Sequence, residues 1–160
     1  MQKKILLALL LIAILAIGAW SYKTFKTVPT LPAYENDVKN EQGQIVKLND
    51  FKGKYVLISY FQTWCGTCIQ ELPTIDALQT KVGKDKLAVL LVSDEDQDKI
   101  NHFKEKHCNT LDYYQSAKSF NEINIHVFPT TYLLNKEGVI IFSKINGFDW
   151  SSDEVVKLCE

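Results

Sequence analysis

The chain has 160 residues and a formal net charge of −1, enough for one domain with a real core and a short appendage. All 18 basic residues are lysine, so bidentate guanidinium reading of phosphate or guanine is absent and nucleic-acid binding is a poor fit. The four cysteines, Cys65, Cys68, Cys108 and Cys159, do not suggest a small disulfide-stapled scaffold.

Lys3 and Lys4 precede residues 5–22, which carry no charge and are mostly Leu, Ile and Ala. As a helix this run reaches roughly 27 Å, close to the ~30 Å hydrocarbon core of a bilayer. It reads as an uncleaved anchor with Trp20 and Tyr22 at the interface. The alternative is a cleaved signal peptide, with Ala16 and Gly18 as small residues before the cut. Either way residues 1–22 form a single N-terminal hydrophobic helix, Lys3 and Lys4 stay cytoplasmic, and the rest is exported. Residues 23–32 hold two prolines and two lysines and read as a tether. Residues 33–160 are the folded domain.

Residues 33–48 have the pattern of a β-hairpin turning at Asn40-Glu41-Gln42-Gly43. Residues 55–61 are a continuous apolar run, expected as a buried strand. Ile69, Leu72, Ile75, Leu78 and Val82 then recur at helical spacing, with Pro73 expected to kink the helix. Residues 87–92 form a second buried strand. Asp94, Glu95, Asp96 and Asp98 precede Ile100, Phe103 and His107, with Lys104 and Lys106 behind. That charge order suits a helix dipole, and the acids read as a solvated helix start. A short strand at 111–114 and a short helix at 116–123 follow. Residues 130–134 and 139–142 are strands joined by Asn135-Lys136-Glu137-Gly138. Ser151 and Glu154 have capping-box spacing for a last short helix. This order predicts an α/β domain: one mixed sheet with helices on both faces and an N-terminal hairpin.

The chemistry concentrates at Trp64-Cys65-Gly66-Thr67-Cys68, between the first buried strand and the helical pattern. A cysteine opening a helix meets free amides and the positive end of the dipole, so its thiol ionises readily. Cys68 lies about one turn on, placed to resolve a mixed disulfide formed by Cys65. A structural zinc site needs about four ligands, and no second pair occurs at ligand spacing. Covalent haem attachment needs His after the second cysteine, where Ile69 stands. No metal or cofactor is expected. His126, three residues before Pro129, is expected as a loop residue, with a catalytic role as the alternative.

The domain resembles the thioredoxin superfamily, specifically its exported TlpA/ResA-like branch. The resemblance rests on Leu48-Asn49-Asp50-Phe51-Lys52-Gly53-Lys54-Tyr55-Val56-Leu57 leading to the C-x-x-C, on Phe128-Pro129-Thr130-Thr131, and on the β-β-α ending. It implies a thioredoxin-like fold and a thiol–disulfide oxidoreductase, a reductase in direction, with Cys65 as nucleophile and Cys68 as resolving thiol; the alternatives are an oxidase or isomerase of exported proteins, or a redox-inert or metal-handling binding module on the same fold. Pro129 would be cis, and Trp64, Phe128, Pro129 and Thr130 would face substrate. Thioredoxin carries a buried Asp six residues before the nucleophile; here that position is Ser59. ResA-like proteins carry a Glu three residues after the second cysteine, which is Glu71, implied as the proton-handling group. Gly66-Thr67 between the cysteines departs from the Gly-Pro of thioredoxin and the Glu-Pro of ResA. In this fold Cys108 and Cys159 are expected on helices lying on opposite sheet faces, unpaired and packed as apolar thiols. Implied partners are disulfide-bearing exported clients, apocytochrome c among them, and a membrane thiol donor. The implied location is the membrane, single-pass, with the domain outside the cytoplasm, or secretion if the segment is cut.

Overall fold

The computed structural model describes residue 6, residues 9–19 and residues 37–160. Residues 9–19 are helical and exposed, as the apolar run predicts. Among the described residues no helix is long and apolar enough to cross a membrane. The tether and the start of the expected hairpin lie outside the described residues.

The domain begins with β1 (Val38–Lys39) and β2 (Ile45–Val46). Asn40 Oδ1 accepts the amides of Gln42 and Gln44, and Gly43 supplies the positive φ of 74° that closes the hairpin. A 3-10 helix (Leu48–Phe51) leads to β3 (Tyr55–Tyr60), α1 (Gly66–Val82), β4 (Leu87–Ser93), α2 (Gln97–His107) and β5 (Tyr113–Ser116). The β-β-α ending follows as β6 (Thr130–Leu134), β7 (Ile140–Ile145) and α3 (Asp153–Leu158). The strands form one seven-stranded sheet in the order β2-β1-β5-β4-β3-β6-β7. β3, β4 and β5 run parallel, while β1, β6 and β7 add antiparallel edges.

The two apolar runs are buried on both faces, which is why they do not alternate in polarity. Leu57, Leu87, Val89 and Leu91 point to one side and join Leu72, Ile75 and Leu78 of α1, Ile100 and Phe103 of α2, and Val155 of α3. Val56, Ile58, Tyr60, Leu90 and Val92 point to the other. That second core is closed by Leu48 and Phe51 of the 3-10 helix and by Phe120, Ile123 and Ile125. At an apolar contribution of about 0.8 kcal/mol per buried methylene, each such Leu or Ile is worth roughly 2–3 kcal/mol.

Several local expectations change. The segment 116–123 forms turns rather than a helix: Ile125 N–H reaches back to Phe120 O, and Asn124 takes a left-handed φ of 59°. The capping box at Ser151 does not form. Ser151 instead donates its amide and hydroxyl to Asp149 Oδ1, and α3 starts one residue later behind Ser152. Cys108 and Cys159 lie on the same sheet face, because α2 and α3 both pack into the first core. Neither is in a disulfide, and the Cys108 thiol shares a hydrogen bond with the Thr110 hydroxyl. α1 continues through Pro73, which is exposed.

Candidate active site

Between β3 and α1 the chain crosses residues 61–64, and acids following β4 hold this loop in place. Gln62 Nε2 donates to Asp94 Oδ1 at 2.6 Å. Thr63 donates its amide and its hydroxyl to the two oxygens of Glu95, at 2.6 and 2.9 Å. The second Asp94 oxygen accepts the Phe120 amide at 2.7 Å, so one carboxylate joins the loop before the cysteines to the turn before Pro129. Asp94 and Glu95 are therefore a brace, whereas Asp96 and Asp98 are exposed at the start of α2, as expected of a solvated helix start. The α2 N-cap is Asp96, whose side chain makes no capping bond.

Cys65 is the N-cap of α1, with extended backbone, and its Sγ accepts the Cys68 amide at 3.1 Å. Sulfur at this point meets the helix amides, the arrangement that favours a thiolate. Cys65 and Cys68 are joined in a disulfide with Cα atoms 5.3 Å apart. Both cysteines are buried, and Cys65, at the start of the helix, precedes Cys68, which lies within its first turn. No basic residue accompanies them in the loop, and the first turn of α1 carries no charge.

Glu71 sits one turn past Cys68 and is only 3% exposed. Its Oε1 accepts the Trp150 indole N–H at 2.7 Å and the Phe148 amide at 3.1 Å. Its Oε2 accepts the Thr131 hydroxyl at 3.4 Å. Thr131 in turn shares a hydrogen bond of 2.8 Å with Ser59. The sheet register explains this pairing: Ser59 of β3 stands opposite Thr131 of β6, on the side that α1 covers. Burial pushes the Glu71 carboxyl up to about 7, against the opposing pull of the bonds from Trp150, Phe148 and Thr131. Thr74 fastens the same loop, accepting the Trp150 amide at 3.3 Å. A groove of about 370 Å³ opens beside Glu71, lined also by Thr67, Gln70 and Phe148. At its rim Gly147 approaches Thr67 so closely that an added Cβ would stand 2.8 Å from the threonine methyl.

The Phe128–Pro129 peptide bond is cis, as the resemblance implies. Asn146 N–H donates to Pro129 O at 3.0 Å and fixes the loop to the end of β7. Trp64, 72% exposed, stands edge-on to Phe128 with ring centroids 6.1 Å apart. Thr130 is buried and donates its hydroxyl to Val127 O, so its side chain shapes the loop. His126 is exposed and bonded to Asn124 Oδ1 at 3.0 Å, in the groove that Gln62, Asp94, Phe120 and Phe128 also line.

The expected residues thus fall into two groups. Cys65, Cys68 and Glu71 belong to the start of α1, and Trp64 meets Phe128, whose bond to the buried Pro129 is cis. Sequence reasoning missed Asp94, Glu95, Thr131, Phe148 and Trp150. A signal existed for the two acids alone: they directly follow a buried strand, at the carboxyl end of a parallel pair where sites form.

Residues 29–143 match the AhpC/TSA family. The chain is 32% identical over 151 residues to the thioredoxin-like protein YneN of Bacillus subtilis, covering 88% of each. It is 28% identical over 141 residues to the thiol-disulfide oxidoreductase ResA of Geobacillus kaustophilus, covering 83% of this chain and 81% of that one. In fold it is similar to StoA from Bacillus subtilis, with a TM-score of 0.63 at 22% identity, over 81% of this chain and 100% of the other. With the match extending over most of its length, the chain belongs to the AhpC/TSA family, as a thioredoxin-like thiol–disulfide oxidoreductase.

Proposed function

We propose that the Cys65–Cys68 pair works as a reductase of disulfides in exported client proteins. The Cys65 thiolate attacks one client sulfur, and the other client sulfur leaves as a thiolate. Cys68, giving its proton to Glu71, then attacks Cys65 Sγ. The client departs with two thiols and the enzyme keeps the disulfide. A membrane thiol donor returns the pair to the dithiol. Trp64 and Phe128 supply the aromatic surface for the client, and the Phe128 backbone its strand-pairing edge. Apocytochrome c is the client class that the resemblance to the TlpA/ResA-like branch suggests.

The observation that carries the direction is the carboxyl group behind the pair. A strong oxidant is one whose reduced thiolate is stabilised. Here the buried group one turn past Cys68 is the acid Glu71, and the adjoining turn has no cation. Negative charge at that point disfavours a second thiolate and so favours the disulfide form. Equilibrating the pair with dithiothreitol and glutathione tests this. A potential near that of thioredoxin, about −270 mV, is expected, and one near about −120 mV would make the protein an oxidant.

The apolar segment 5–22 behind Lys3 and Lys4 supports an uncleaved anchor, with the domain on the outer side of the membrane. Cell fractionation with sequencing of the mature N-terminus checks it. Soluble protein beginning near Ala19 would replace the anchored enzyme with a secreted one.

A further inference from the structure

We propose that the two oxygens of Glu71 have separate roles: Oε1 is held by fixed donors in both protonation states, and the proton rides on Oε2, received by a hydroxyl pair, Thr131 and Ser59, that reverses its direction. This deepens the reading of Glu71 as the proton-handling group and rests on it.

The argument is one of donor and acceptor inventory. Oε1 faces the Trp150 indole N–H and the Phe148 amide. Both groups can only donate. A proton on Oε1 would point at one of these hydrogens and break that contact. Oε2 faces the Thr131 hydroxyl, which can donate or accept. With Glu71 ionised, Ser59 donates to Thr131 and Thr131 donates to Oε2. With Glu71 protonated, the Oε2–H donates to Thr131 and Thr131 donates to Ser59. Only hydroxyl rotation separates the two states, and no O–H bond of either side chain is broken. Thr131 is 1% exposed and Ser59 2%, so neither hydroxyl can substitute bulk water for its partner. Thr131 is therefore a positioning residue that keeps Glu71 hydrogen-bonded in both states.

The other charged or titratable groups on the elements packed around Glu71 are the Cys65–Cys68 pair, joined as a disulfide, on its own helix, Asp149 across the groove, and Lys144 of β7, which stands opposite Thr131 with its Nζ 5.1 Å from the centre of the Phe148 ring. Asp149 is bonded to Ser151, which holds its carboxyl below the usual range, so it stays ionised while Glu71 titrates.

The pair predicts shifts of opposite sign. Thr131→Val removes the donor to the carboxylate, and charge-assisted bonds are the stronger ones, so the Glu71 midpoint rises. Ser59→Ala leaves Thr131 with Glu71 as its acceptor and pins the hydroxyl in the donating direction, so the midpoint falls. Thr131→Ser keeps both functions and leaves the midpoint near wild type. Each shift is expected at about half a unit to one unit. A role limited to burial would instead raise the midpoint in both apolar variants.

The measurement is the 13C carboxyl titration of Glu71 in the oxidised full-length chain in detergent, with Trp150 fluorescence as the check on folding. Opposite shifts support the relay. Equal signs, or no shift in Thr131→Val, overturn it. If Thr131→Val does not fold, Ser59→Ala decides alone: a fall supports the relay and a rise or no change overturns it. The underlying reading fails separately, by a pH–rate profile for mixed-disulfide resolution that Glu71→Gln leaves unchanged.

Discussion

At Cys65 the sulfur replaces the hydroxyl or carboxylate that ordinarily caps a helix, and the Cys68 amide is already pointed at it. Cys68 lies inside the first turn, deeper and on the side of Glu71. Position on one helix thus divides attack from resolution. Limited iodoacetamide on the reduced protein is expected to label Cys65 well before Cys68, with a midpoint below the free-thiol value of about 8.5. Preferential labelling of Cys68 would reverse the assignment. Cys68→Ser is expected to hold clients as mixed disulfides on Cys65, a species visible on non-reducing gels.

Elements matter here through their ends. β3 and β4 run side by side, so the loops after them meet, and Asp94 and Glu95 grip Gln62 and Thr63. Glu95→Ala removes the acceptor of the half-buried Thr63 amide and hydroxyl. It is expected to cost about 1–3 kcal/mol in urea unfolding. It should also weaken turnover of protein clients, because Trp64 loses its fixed approach to Phe128. Unchanged stability would mean that water replaces the carboxylate at no cost. α2 and α3 end at Cys108 and Cys159, both on the helical side of the sheet. Burial pushes the Cys159 thiol up to about 11, so it stays protonated and inert. Cys108→Ser with Cys159→Ser is expected to retain insulin-disulfide reduction. Lost activity in a folded protein would expose a second redox pair. The sequence was plain where an element is local. The apolar runs of β3 and β4, the periodicity of α1 and the Asn135–Gly138 turn carry their own signals. Ser151 misled because its hydroxyl donates to the nearby Asp149 carboxylate instead of accepting a helix amide.

For the molecule as a whole, the buried carboxyl couples chemistry to stability. In the unfolded chain Glu71 loses its proton near 4.5, whereas in the folded oxidised protein it holds it to about 7. Between those values the native state binds more protons than the unfolded state, so stability falls as pH rises from about 4.5 to 7 and then levels. The loss is on the order of 3 kcal/mol at about 1.4 kcal/mol per unit. Urea midpoints across this range should fall in the wild type and fall less in Glu71→Gln. Parallel slopes would place the titration elsewhere. The C-x-x-C and Glu71 were visible in the sequence because they share one helix. Trp150 and Thr131 were not, since each is brought to Glu71 by another element, and nothing in their own neighbourhood marks the meeting.

The sheet also separates two kinds of change. On one side lie the thiols, Glu71 and helices α1, α2 and α3; on the other lie the 3-10 helix and the turns at 117–126. Phe128 packs against both cores and stands between them. On the function proposed above, substitutions in the layer behind the client-facing loop leave proton transfer in the other layer undisturbed, so a lineage exchanges clients while keeping its redox chemistry, and Phe128 is the position where the two histories must agree.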